Sequence, residues 1–169
     1  MLGFKRCQLL PLTFQPKPRT VVYCDFSGYI APEIIKRRPV VVLSTHKRNR
    51  KLVAVVPLST TAPDPVESHH HRLLQNPLPN EKATEVWAKC DMVAVVSIER
   101  LDLIRTGRRL PDGRREYITP KIGAEQFDAI RSAVISGLGL GSLLESATGT
   151  SASPKTIVTS ATPAPSTVM

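Results

Sequence analysis

The sequence predicts a mainly β domain closed by one C-terminal helix, its strands bent into a small barrel or half-barrel. Three observations predict it. Short runs of β-branched and aromatic residues recur between turn residues. One segment near residue 130 carries apolar side chains at helical spacing. No apolar run reaches the roughly 18 residues that a membrane-spanning helix needs. With 169 residues, 41% of them hydrophobic, the chain suits a single domain with a real core.

Residues 1–19 carry Pro11, Pro16 and Pro18 without periodicity and read as an irregular leader. Thr20 to Phe26 (Thr-Val-Val-Tyr-Cys-Asp-Phe) is β-branched and aromatic, hence a strand. Ser27 to Arg37, with Gly28 and Pro32, reads as a mobile loop. Pro39 to Ser44 and Leu52 to Leu58 are nearly continuous apolar runs around the polar stretch His46 to Lys51, which predicts a hairpin of two buried strands. Val66 to Leu73 alternates weakly and is expected as a strand. Leu74 to Thr84, with Pro77 and Pro79, is expected as a loop, and Glu85 to Val96 as one further strand. Pro111-Asp112-Gly113 is a strong turn between Leu101–Ile104 and Glu116–Ile118, giving a basic hairpin that carries Arg105, Arg108, Arg109, Arg114 and Arg115. Phe127, Ile130, Val134 and Leu138 define the helix, with Gly123 at its start and Gly139 and Gly141 at its end. Residues 142–169 are rich in Ser, Thr, Ala and Pro and nearly uncharged. They cannot bury enough apolar surface to offset ordering entropy and are expected to be a disordered tail after a folded unit of residues 20–141.

The formal net charge is +9. Beyond residue 140 only Glu145 and Lys155 are charged, and they cancel, so the excess belongs to the folded part. A compact basic domain points to an anionic partner, most commonly nucleic acid. Aromatic residues are only 5%, which disfavours a broad base-stacking platform. Cys7, Cys24 and Cys90 lie far apart in no paired spacing, as in a protein of the reducing cytoplasm, and offer neither a disulfide framework nor a zinc motif. The N-terminal residues lack an adequate apolar stretch, so no signal peptide is expected.

Four groups of residues have the chemistry for a site. Arg38 precedes Pro39, which holds it extended at a strand entrance, where a guanidinium can fork onto phosphate oxygens; Glu33 on the same loop can accept a proton. The ordinary reading of that stretch is a solvated charged loop. Ser59, Thr60 and Thr61 end a strand in three hydroxyls, able to hold a phosphate or ribose and equally at home in a polar turn. In a continuous strand Lys89 and Asp91 share one face, as a cation–base pair or a structural ion pair. His69 and His71 would likewise share a face, for base stacking or as part of a polar strand. No suitably spaced Cys or His accompanies them, so no metal and no cofactor is implied.

Taken in order, these segments resemble the PemK/MazF family of type II toxin–antitoxin ribonucleases. The similar stretch runs from about Val21 to Leu140. It rests on Asp25-Phe26, on Glu33 five residues before Arg38-Pro39, on Val40 to Ser44, on Val56-Pro57-Leu58-Ser59-Thr60 and on Lys89-Cys90-Asp91. The resemblance implies an SH3-like barrel, a cytoplasmic homodimer with no membrane segment, and metal-independent cleavage of single-stranded RNA by the neighbouring 2′-hydroxyl. It also implies a cognate antitoxin whose acidic and apolar segment covers the basic surface. On this chain it implies that Arg38 stabilises the phosphate, Ser59 and Thr60 hydrogen-bond it, Glu33 or Asp91 is the base and Lys89 is a second cation. Lys36, Arg37, Thr61, His69 and His71 would contact RNA. Lysine at position 89, where some members have arginine, moves the weight of the acid role towards Arg38. The basic hairpin and the tail depart from the compact family pattern. Two other readings of a basic barrel stay open: a non-catalytic module that binds RNA or DNA, and a toxin that poisons topoisomerase.

Overall fold

A computed structural model of the chain describes residues 12–79 and 82–142. Cys7 and the predicted tail, apart from Ser142, lie outside the described residues. The order is β1 (Val21–Cys24), β2 (Arg38–Thr45), β3 (Leu52–Ser59), β4 (His70–Arg72), β5 (Trp87–Lys89), β6 (Ala94–Ser97), β7 (Leu101–Asp102), β8 (Ile104–Arg109), β9 (Arg115–Ile118) and the helix α1 (Ala124–Gly137). The mainly β reading with a terminal helix holds. Seven strands form one antiparallel sheet in the order β4-β5-β3-β2-β1-β7, with β6 also on β3; β8 and β9 form the separate basic hairpin.

The valine-rich runs of β2 and β3 make the central hairpin because both faces of it are buried. Val41, Val56 and Leu58 point into one apolar cluster, capped by Phe127, Ile130 and Val134 of the helix. Val40, Val42, Val53 and Val55 point into a second, with Val22, Cys24, Phe26, Val96 and Leu101. A strand covered on both sides reads as continuous rather than alternating. Between Val42 and Ser44 the β2–β3 register shifts by one residue, a bulge that sharpens the bend of the sheet. The helix ends as the glycines predict: Gly139 takes φ +70°, its N–H meets the Ser136 carbonyl, and the Leu140 N–H meets that of Ile135.

Three predicted strands differ. Leu101–Ile104, expected as one arm of the hairpin, is divided: Leu101–Asp102 pairs with β1, and the hairpin arm is Ile104–Arg109. Of Val66–Leu73 only His70–Arg72 is strand, because the Glu67 N–H and carbonyl close a local turn onto His70. The expected single strand Glu85–Val96 is two. β5 pairs with the end of β3 and with β4, then the chain turns at Cys90–Val93, and β6 pairs with the start of β3. The Met92 N–H bonds the Lys89 carbonyl in that turn.

The described part of the leader is irregular yet packed. Leu12 is buried in the second cluster and its N–H meets the Leu101 carbonyl; Gln15 donates to the Leu52 carbonyl; Arg19 Nε donates to that of Ile122. Leu12→Ala is therefore expected to cost about 2–4 kcal/mol, read as an earlier urea midpoint. An unchanged midpoint would show that the leader is not part of the core.

Candidate active site

The site follows from strand register. The β2–β3 ladder reaches Val40 opposite Pro57, and that register continued two residues outward directs Arg38 and Ser59 to the same open end of β2 and β3. Leu58 pairs with Ala88, which sets Lys89 opposite Pro57, and Lys89 pairs with His70 on its other side. Directly opposed residues of an antiparallel pair share a face. Arg38, Ser59, Lys89 and His70 are thus brought to one face by backbone geometry alone. Trp87, opposite Ser59, lies on the same face, with its indole Nε1 buried and unpartnered among the described residues.

A cleft of about 280 Å³ opens there, lined by Glu33, Ile34, Ile35, Lys36, Arg38, Pro57, Leu58, Ser59, Lys89 and Met92. Of the residues named from sequence, the cleft gathers Glu33, Lys36, Arg38, Ser59 and Lys89. Ser59 Oγ accepts the Thr61 N–H at 3.1 Å, so the hydroxyls form a small turn in which Thr60 and Thr61 lie at the rim, outside the cleft lining. Glu33 Oε2 accepts the Ile30 N–H at 2.7 Å, which fixes its carboxylate on the loop.

That loop, expected to be mobile, is held at both ends. Arg100 donates to the carbonyls of Asp25 and Ser27 at one end. At the other, Arg37 Nη2 meets Asp102 Oδ2 at 2.9 Å, and its guanidinium lies 3.9 Å from the centre of the Tyr23 ring. Phe26 is buried between these anchors and meets Tyr29 edge-on. Arg37, assigned to RNA from sequence, is therefore engaged inward. Asp102, Tyr23 and Arg100 escaped notice. The available signal was Asp102 itself, an acid inside the apolar run Leu101–Ile104, which calls for a buried cation.

Asp91 does not share a face with Lys89 as a continuous strand would require. β5 ends at Lys89, and the turn carries Asp91 to His69, whose Nε2 is 4.0 Å from Asp91 Oδ2. His69 lies before β4 rather than in it, its ring 4.2 Å from that of His70. His71 faces the other way and bonds Gln126 of the helix at 3.2 Å. The histidine beside Lys89 is accordingly His70, not His69 or His71. Burial lowers the His70 pKa from its ordinary value, and His69 adds to the fall. Cys90 is buried, its thiol pushed up to about 12 by burial, and takes no part as a thiolate.

Because Asp102 Oδ1 is already buried without a partner, Arg37→Ala leaves a whole carboxylate uncompensated. It should lower stability by about 1–3 kcal/mol and loosen the Glu33–Arg38 loop. A melt unchanged by Arg37→Ala, with only the salt dependence of RNA binding reduced, would return Arg37 to the solvent-facing part.

Comparison with known proteins shows the family and the fold. The sequence profile of a family described as the PemK-like, MazF-like toxin of type II toxin-antitoxin system matches residues 17–135. YifN of Escherichia coli (strain K12), described as uncharacterized, is 31% identical over 156 residues, covering 80% of this chain and 99% of YifN. Form-I of MazF from Deinococcus radiodurans has the same fold, with TM-score 0.51 and 19% identity over 75% of this chain and 98% of that one. An endoribonuclease in complex with its cognate antitoxin, from Mycobacterial species, gives TM-score 0.50 and 20% identity over 74% of this chain and 96% of that one. The resemblance noted in the sequence is borne out: this chain belongs to the PemK-like, MazF-like toxin family of type II toxin–antitoxin systems.

Proposed function

We propose that this toxin is an endoribonuclease that cuts single-stranded RNA by attack of the 2′-hydroxyl on the adjoining phosphate, with no metal in the chemistry. The observation that carries the proposal is that Arg38 and Ser59, at the open ends of β2 and β3, line one cleft with Glu33 and Lys89. The reaction needs a base for the 2′-hydroxyl proton, cations for the developing phosphorane charge and a proton for the departing 5′-oxygen. Glu33 takes the base role, because it lines the cleft whereas Asp91 is turned towards His69. Arg38 forks onto the phosphate and protonates the leaving oxygen, Lys89 is the second cation, and Ser59 and Thr60 position the phosphate. The new 2′-O–P bond and the broken P–O5′ bond leave a 2′,3′-cyclic phosphate and a 5′-hydroxyl.

Lys36 and Thr61, flanking Arg38 and Ser59, contact neighbouring nucleotides. The protein acts in the cytoplasm as a homodimer. Among the described residues no helix is long and apolar enough to cross a membrane. Its cognate antitoxin folds an acidic and apolar segment over the cleft, where Ile34, Ile35 and Met92 supply apolar contacts between the cations.

Mass spectrometry of RNA fragments made in EDTA tests the reaction. Cyclic-phosphate and 5′-hydroxyl ends are expected; 3′-hydroxyl with 5′-phosphate ends, or loss of activity in EDTA, would contradict it. Arg38→Ala should lower kcat by roughly 10²–10³ in a folded protein, the usual cost of one positioned donor. Arg38→Lys should recover part of it, since an ammonium lacks the planar fork. Near-normal turnover in Arg38→Ala would remove the residue from the mechanism.

A further inference from the structure

Beside the cleft, the fold brings Asp91 to the adjacent pair His69 and His70, three side chains able to ligate a metal. His69, His70 and Asp91 each bring a ligand atom to within 4.8 Å of the others. We propose that these three residues form a binding site for a zinc-class divalent transition ion, separate from the RNA chemistry.

Ligand type, support and scaffold carry the proposal. Two imidazoles and one carboxylate suit zinc, cobalt, nickel or copper, whereas magnesium and calcium prefer all-oxygen sets. His69 is already oriented as a ligand: its Nε2 faces Asp91, and its Nδ1 is 3.4 Å from Glu67 Oε2. A carboxylate on the far nitrogen of a histidine is the usual outer support of a metal site, fixing the tautomer and raising the basicity of the ligating nitrogen. Asp91 and Glu67 bring two carboxylates to the two imidazoles, and Lys89, opposite His70, is the neighbouring cation.

The ligands stand on a rigid frame. Gly137 of the helix packs so closely that a Cβ there would lie 3.0 Å from the Asp91 Cα and N and from the His69 Cβ. Next to it Ser136 Oγ meets Ser68 Oγ at 2.6 Å, and the Cys90 N–H bonds the His69 carbonyl. The turn before β4, the turn after β5 and the helix end are thereby locked together. Bonds of about 2.0–2.2 Å to a tetrahedral ion place ligand atoms roughly 3.3–3.5 Å apart, so side-chain displacements of about an ångström close the site. One bond opposes loading: His70 Nδ1 accepts the Glu67 N–H at 3.1 Å. Ligation through either nitrogen gives up that bond, which lowers affinity by roughly tenfold. His71 is held by Gln126 on the other face of β4 and stays outside the site.

The test uses the full chain without a histidine tag, stripped with EDTA and then freed of it. Zn²⁺ is titrated by calorimetry and Co²⁺ by visible absorption. One ion per chain is expected, with a higher melting temperature in Zn²⁺, a four-coordinate Co²⁺ spectrum, and no uptake of Mg²⁺ at the same concentration. His70→Ala should weaken Zn²⁺ binding by at least about tenfold, Glu67→Gln by roughly 10–100-fold, and His71→Ala should leave it unchanged. Asp91→Asn, which keeps the shape of the turn, covers the case in which His70→Ala fails to fold. No Zn²⁺ uptake by the wild type, or uptake equal in His70→Ala and Asp91→Asn, overturns the site. None of these readings depends on RNA cleavage, so failure of the site and failure of the nuclease reading are told apart.

Discussion

The antiparallel register of β2 on β3 is the constraint on which the candidate site depends. Continued past the pair Val40–Pro57 it directs Arg38 and Ser59 to one end of the sheet, and β5, paired with Leu58 and Ser59, brings Lys89 to the same cleft. A slip of one residue would turn every side chain of β2 to the other face. Two-sided burial alone does not guard against that slip, since a shifted strand would still offer a valine to each cluster. Val40 and Val42 serve one cluster and Val41 the other, but the neighbouring β1 and the bulge at Val42–Ser44 accept only one alignment. Pairing with β1, which reaches Cys24 opposite Arg38, therefore aims the arginine.

Register alone leaves the loop of Glu33 free, and two arginines remove that freedom. Arg100 fixes its start by two carbonyls, and Arg37 fixes its end on Asp102 and Tyr23. Both anchors join the loop to Arg100–Asp102, and β7 (Leu101–Asp102) is itself paired with β1. Cations that look available for RNA in the sequence are thus divided between scaffold and cleft. A site whose charged groups are held before substrate arrives spends little on reorganisation during reaction.

Much of this was legible in the sequence. The central hairpin, the helix with its glycine stop and the basic hairpin follow from apolar runs, helical spacing and the Asp112-Gly113 turn. Arg38 at the strand entrance follows from Pro39. The break at Cys90–Val93 was not legible, because Trp87 to Ser97 carries neither glycine nor proline and its apolar content suits an unbroken strand; the turn is imposed by β3 pairing with both β5 and β6. The fate of Arg37, Asp91 and the histidines was hidden for the same reason. Their partners Asp102, His69 with Glu67, and Gln126 are fixed by tertiary placement, and a turn one residue off changes the face on which each lands.

The central claim is that one cleft, set by the β2–β3 register, receives the RNA backbone. A single-stranded oligonucleotide with deoxyribose throughout keeps the phosphates and lacks the nucleophile, so its complex persists. Titrated into isotopically labelled protein and followed by NMR, it should shift the Arg38, Ser59 and Lys89 signals together and leave the hairpin of β8 and β9 as a weaker, salt-sensitive contact. Shifts confined to that hairpin, with the cleft silent, would contradict the account.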